Sequence, residues 1–123
     1  MRSPADASLN ALERRVLDRF VQLLEDEYGD RLRSVWLFGS RARGEEPGPD
    51  SDVDVLVVIR GGQVDDHFRA VRLVHQAAEA EGGNPVSFAV KVYDPARIAQ
   101  RRAIRSFFMQ EVDRDKIVIA GES

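Results

Sequence analysis

Apolar residues recur at helical spacing from Leu9 through Leu12, Val16, Leu17, Phe20, Val21 and Leu24 to Tyr28, with charged residues between them. That spacing predicts an amphipathic helix. Ser8 or Asn10 can cap it, Asn10 in a capping-box spacing with Glu13, and Gly29 is a natural stop. The residues before it, 1–7, read as a frayed leader. Ser34–Phe38 is a short, mostly apolar run that predicts a buried strand, and it ends at Gly39-Ser40. Residues 41–51 carry Pro47, Pro49, Gly44 and Gly48 and read as a short turn of helix followed by a loop. Asp52–Ile59 is rich in β-branched residues, closes at Arg60-Gly61-Gly62 and predicts a second strand. Asp65 and Asp66 suit the start of a second helix, whose core stripe is Phe68, Val71, Val74 and Ala78 and whose stop is Gly82-Gly83.

Val86–Tyr93 predicts a third strand. Val86, Phe88, Val90 and Val92 share one face, and Ser87, Ala89, Lys91 and Tyr93 share the other. Asp94-Pro95 starts a last helix that carries Ile98, Ile104, Phe107, Phe108 and Val112, and Lys116–Ala120 predicts a short final strand. The order is α-β-(α)-β-α-β-α-β, which points to an α/β (α+β) fold with one mixed sheet covered by helices.

Length and charge narrow the class. The 123 residues suit a single domain, 1–123, and 43% hydrophobic residues are enough for a core. A formal net charge of -3 gives no overall attraction to nucleic acid, so direct nucleic-acid binding is not expected. The absence of cysteine excludes disulfides and thiolate chemistry. No apolar run approaches the roughly 18 residues of a spanning helix, and MRSPADAS does not resemble a signal peptide, so a cytoplasmic protein without a membrane partner is expected.

The candidate chemistry sits between the first two strands. Side chains two apart on a strand share a face, so Asp52 and Asp54 are expected side by side and able to share a hard cation such as Mg²⁺. The loop after the preceding strand opens with Gly39-Ser40. Glycine lets a phosphate approach the backbone, Ser40 adds a hydroxyl, and Arg41 and Arg43 lie near enough to offset phosphate charge. Each piece is weak alone: an isolated Asp-x-Asp is usually a solvated loop pair, and Gly-Ser is usually just a turn. Asp50, Asp52 and Asp54 also imitate the opening of a calcium loop, but Val55 and Gly61 stand where that loop needs Gly and Glu. Together the pieces describe a polyphosphate site.

The stretch WLFGSRARGEEPGPDSDVDVLVV resembles the signature of DNA-polymerase-beta-type nucleotidyltransferases, in the minimal (MNT) form found in HEPN/MNT toxin–antitoxin pairs. The resemblance is dense over residues 35–59 and weaker in the flanks. It implies a two-ion Mg²⁺ site at Asp52 and Asp54, the catalytic and metal-holding residues, with nucleotide held by Gly39, Ser40, Arg41 and Arg43. It further implies transfer of NMP from an NTP, ATP being expected, to a hydroxyl. In such pairs that hydroxyl belongs to a tyrosine of a helical HEPN partner, AMPylated by its antitoxin. The loop 41–51 is one residue longer than the family's, a small change in a Pro/Gly loop. A larger departure is Pro85-Val86-Ser87: Ser87 is expected where the family carries its third carboxylate, making it a possible third-ligand position. Two alternatives therefore stay open: a catalytically weakened nucleotide- or partner-binding module, and a transferase acting on an aminoglycoside-like small molecule.

Other residues carry less. His67 and His75 lack an acid at ligand spacing and are expected to pack or face solvent, and Trp36 is expected in the core. Arg97, Arg101, Arg102 and Arg105 read as a solvated helix face that could meet a partner.

Overall fold

The computed structural model describes residues 3–49 and 51–123. Asp50, the first residue of the calcium-loop spacing, lies outside the described residues, as does the side chain of Val86, expected on one face of the third strand with Phe88, Val90 and Val92.

Helix α1 (Ala11–Tyr28) starts at Asn10, whose side chain accepts from the Glu13 backbone N–H while Glu13 reaches back to the Asn10 N–H. Strand β1 (Leu32–Phe38) leads directly into a single helical turn, α2 (Gly39–Ala42). Strand β2 (Val53–Ile59) is followed by α3 (Val64–Glu81), and β3 (Phe88–Tyr93) by α4 (Pro95–Ala103) and α5 (Phe107–Asp115). Strand β4 (Ile117–Gly121) ends the order.

Among the described residues these four strands form one sheet in the order β3-β2-β1-β4. β1 is antiparallel to both neighbours, whereas β2 and β3 run parallel, joined through α3. Alternation along the strands divides two cores. Val35, Leu37, Val53, Val55, Val57, Ile59, Val90 and Val92 pack under α1 and α3. Trp36, Leu56 and Val58 pack under α4 and α5 with Ile98, Met109 and Val112. Both faces of β2 are covered, which explains its nearly continuous apolar sequence.

The structure corrects several expectations. The last helix is two helices, broken at Arg105, whose φ of 53° is left-handed, and restarted by Ser106, whose hydroxyl caps the Met109 N–H. Ile104 and Phe107, expected among the apolar residues of a single last helix, flank that break and are 65% and 75% exposed. On α3 the buried stripe is Ala70, Val74, Ala77 and Ala78; Phe68 is 56% exposed and stacks edge-on against His67. Small residues let α3 lie close against the sheet and α1, and the helical period alone does not say which of two adjacent faces does so. The leader is not frayed throughout: Ala7 is buried, and Arg14 donates to the carbonyls of Pro4 and Ala7. Finally, β2 begins at Val53 and β3 at Phe88, so Asp52 precedes its strand and Ser87 lies in a 3₁₀ turn, Pro85–Ser87.

Candidate active site

The β1–β2 register sets Phe38 opposite Asp54, so Gly39 leaves the sheet directly beside the Asp54 carboxylate. Gly39 has φ of 76°, and an added Cβ would lie 2.5 Å from Asp54 Oδ2. Glycine is required there twice over, by backbone conformation and by space. Asp54 is half-buried on the face covered by α5, while Asp52 is exposed just before the strand. Burial, and then the neighbouring charge of Asp52, raise the Asp54 carboxyl above its usual range; Lys91, Arg41 and Arg43 oppose that rise, in that order. A half-buried carboxylate destabilised by a second one is a place where a cation is welcome.

Ser40 Oγ lies 3.4 Å from Ser51 Oγ, a long contact that leaves its hydroxyl available to another acceptor. Arg41 turns the other way. It is buried, with 6% exposure, and donates to Ser51 Oγ and Ser51 O, to the Ser8 carbonyl and to Glu13 Oε1 at 2.8 Å. The Ser8 N–H returns a bond to the Arg41 carbonyl. Arg41 therefore clamps the loop before Asp52 to the start of α1, and four bonds occupy most of its donors. The expectation of a phosphate-facing Arg41 does not match this position.

A cavity of about 380 Å³ is lined by Gly39, Ser40, Arg43 and Asp54 from the motif and by Phe108, Glu111 and Asp115 from α5. Arg43 faces it but holds Glu45 at 2.6 Å and Asp115 at 3.0 Å, and these hydrogen bonds raise its pKa. Asp115 is buried and also receives Arg114, the first of the interactions that hold its carboxyl low. The α5 residues could not be found from the sequence: Glu111 and Asp115 lie in an ordinary charged helix, and only packing brings them over the motif.

A model of the family described as nucleotidyltransferase domain matches residues 17–116, most of the chain. The chain belongs to this family. A candidate protein adenylyltransferase of Methanocaldococcus jannaschii is 40% identical over 53 residues, 43% of this chain and 49% of its own length. The chain thus matches about half the length of that curated relative. Among solved structures, a candidate nucleotidyltransferase from Sulfolobus solfataricus is 22% identical, with TM-score 0.54 over 90% of this chain and 84% of the other. The toxin–antitoxin complex MntA–HpeT with two Asp→Glu substitutions gives 17% identity and TM-score 0.55 over 86% and 73%. A toxin–antitoxin complex with AMP-PNP gives 20% and 0.54 over the same shares. At these identities the solved structures show a common fold.

In this nucleotidyltransferase domain the parallel β2–β3 register pairs Asp54 with Ala89, and Leu56 with Lys91. The residue across from Asp54 on β3 is thus Ala89, and Ser87 lies in the turn immediately before Phe88, which pairs with Val53. No group of three or more His, Asp or Glu side chains able to hold a metal ion comes together among the described residues. A second cavity of about 510 Å³ lies along the end of β3, lined by His67, Lys91, Tyr93 and Arg97 among others, and the Arg97 guanidinium stacks on Tyr93 at 4.3 Å. Among the described residues no helix is long and apolar enough to cross a membrane.

Proposed function

We propose that this domain transfers the NMP of an Mg²⁺-bound NTP, ATP being the natural choice, to a protein hydroxyl, a tyrosine on a helical toxin partner of the HEPN type. The observation that carries this reading is the shared lining of the 380 Å³ cavity by Gly39 and Asp54, with so little space between them that a Cβ on Gly39 would lie 2.5 Å from Asp54 Oδ2, which brings phosphate cradle and cation ligand together. The solved relatives add support, since one contains AMP-PNP and the MntA–HpeT pair is a toxin with its antitoxin. The M. jannaschii relative points to protein as acceptor.

Asp52 and Asp54 suit one divalent ion: two carboxylates separated by a single residue and unpaired with any cation at ion-pair distance among the described residues. Bound there, Mg²⁺ would offset charge on the triphosphate and on the pyrophosphate as it leaves. The Gly39 backbone admits the phosphates, and the Ser40 hydroxyl donates to them. The Arg41 clamp holds the approach to Asp52, and α5 closes one side of the cavity through Phe108. The acceptor oxygen attacks the α-phosphorus. A new O–P bond forms as the bond from that phosphorus to the β-phosphate bridging oxygen breaks, pyrophosphate leaves with the electron pair, and the hydroxyl proton passes to water.

The test is incubation with α-labelled ATP, Mg²⁺ and the product of a neighbouring gene encoding a small helical protein. Label on that protein is expected, and none with the Asp52→Asn/Asp54→Asn pair. Ala89 beside Asp54 favours a second reading, a module that binds nucleotide or partner without transfer. Calorimetric Mg²⁺-dependent ATP binding without any labelling would establish it, and unchanged ATP affinity in the double variant would overturn both.

A further inference from the structure

Resting on the nucleotide site just proposed, we infer that this domain works with one divalent ion, and that the Lys91 ammonium supplies the positive charge a second ion would bring. The two-ion arrangement needs a third carboxylate beside the pair, and the residues present do not fit it. The position across from Asp54 on β3 carries the Ala89 methyl group. Lys91 is the next residue along β3 on the same face, opposite Leu56, and its Nζ lies 5.7 Å from the Phe108 ring centroid. Phe108 in turn lines the cavity with Asp54, while Lys91 itself lines the neighbouring 510 Å³ cavity, so its flexible stem must carry the ammonium past the Phe108 ring. Lys91 is exposed and, among the described residues, pairs with no carboxylate at ion-pair distance.

The other cations near Asp54 are committed elsewhere. Arg41 is held by Glu13, Ser8 and Ser51, and Arg43 by Glu45 and Asp115. Charge balance favours the exchange. Three carboxylates with two Mg²⁺, or two carboxylates with one Mg²⁺ and one ammonium, both leave a single positive charge to meet the triphosphate. An ammonium on a flexible four-carbon stem can follow a substrate, but it cannot ligate and acidify the attacking hydroxyl as an ion can. Substrate binding is thereby kept while transfer is slowed.

The experiment counts Mn²⁺ by electron paramagnetic resonance in the full chain, with a non-hydrolysable ATP analogue. One Mn²⁺ per bound nucleotide is expected in the native protein, and two in Ala89→Asp combined with Lys91→Met. Lys91→Met alone should weaken analogue binding about tenfold at low salt and less at high salt, with Lys91→Arg retaining most of the affinity. Should the combined variant fail to fold, the native count alone decides. Two ions per nucleotide in the native protein, or native affinity in Lys91→Met, overturns this inference and leaves the nucleotide site standing. Absence of any metal-dependent analogue binding overturns the proposed function and this inference with it.

Discussion

Replacing Gly39 by alanine tests the junction of cradle and carboxylate most directly. At φ of 76° an L-residue is strained, which costs about 1–2 kcal/mol. The new Cβ would lie 2.5 Å from Asp54 Oδ2, nearly an ångström closer than ordinary contact, so the carboxylate must turn aside. Rotating a side chain some 30° off its rotamer costs about 0.5–1.5 kcal/mol. Together Gly39→Ala should lose about 1.5–3.5 kcal/mol of stability in urea unfolding. In an Asp54→Ala background the collision is gone, and the same substitution should cost only the backbone share of about 1–2 kcal/mol. The coupling between the two positions is then about 1 kcal/mol. A native-like fold that retains ATP affinity after Gly39→Ala, or equal costs in the two backgrounds, would refute the geometry on which the site is built. With Asp54 displaced, Mg²⁺-dependent ATP affinity should fall about tenfold or more, the equivalent of roughly 1.4 kcal/mol.

The two motif arginines should separate cleanly. Arg41→Met leaves Glu13 largely buried without its partner and should cost about 3 kcal/mol in denaturant unfolding, whereas Arg43→Met removes a partly exposed guanidinium and leaves buried Asp115 still paired with Arg114, and should cost about 1 kcal/mol or less. A reversed order would show that Arg41 is not the loop's clamp. Asp52→Asn/Asp54→Asn should leave the thermal midpoint unchanged or raised, because two like charges near one another destabilise the fold when no ion is bound; a large fall would contradict the repulsion. Burial, followed by the hydrogen bond and charge of Asp66, pushes Tyr28 up to about 12. The folded state therefore favours the neutral phenol, a contribution fully present below the ordinary value near pH 10 and lost as pH rises towards 12. Ultraviolet titration should show a late tyrosine transition that Tyr28→Phe removes; a single transition near pH 10 in the native protein would contradict it.

Much of this molecule is determined locally, and there the sequence alone sufficed. The Asn10–Glu13 cap, the stop at Gly29, the run into Gly39-Ser40 and the Asp-x-Asp entering an apolar strand all depend on neighbours in the chain. So does the overall order of elements, since hydrophobic period and turn residues act over a few positions. Other features required residues far apart in sequence to meet. Whether Arg41 faces a phosphate or Glu13 depends on where α1 begins relative to the loop. Phe108, Glu111 and Asp115 belong to the cavity only because α5 folds over α2. The break at Arg105 splits the single helix expected there and leaves Ile104 and Phe107 exposed beside it. The position beside Asp54 is Ala89 because strand register is set by pairing between β2 and β3, after a turn consumes Ser87. Periodicity says which residues share a face. Only the pairing of strands and the packing of helices decides which faces meet, and it is that meeting that sets Ala89 across from Asp54.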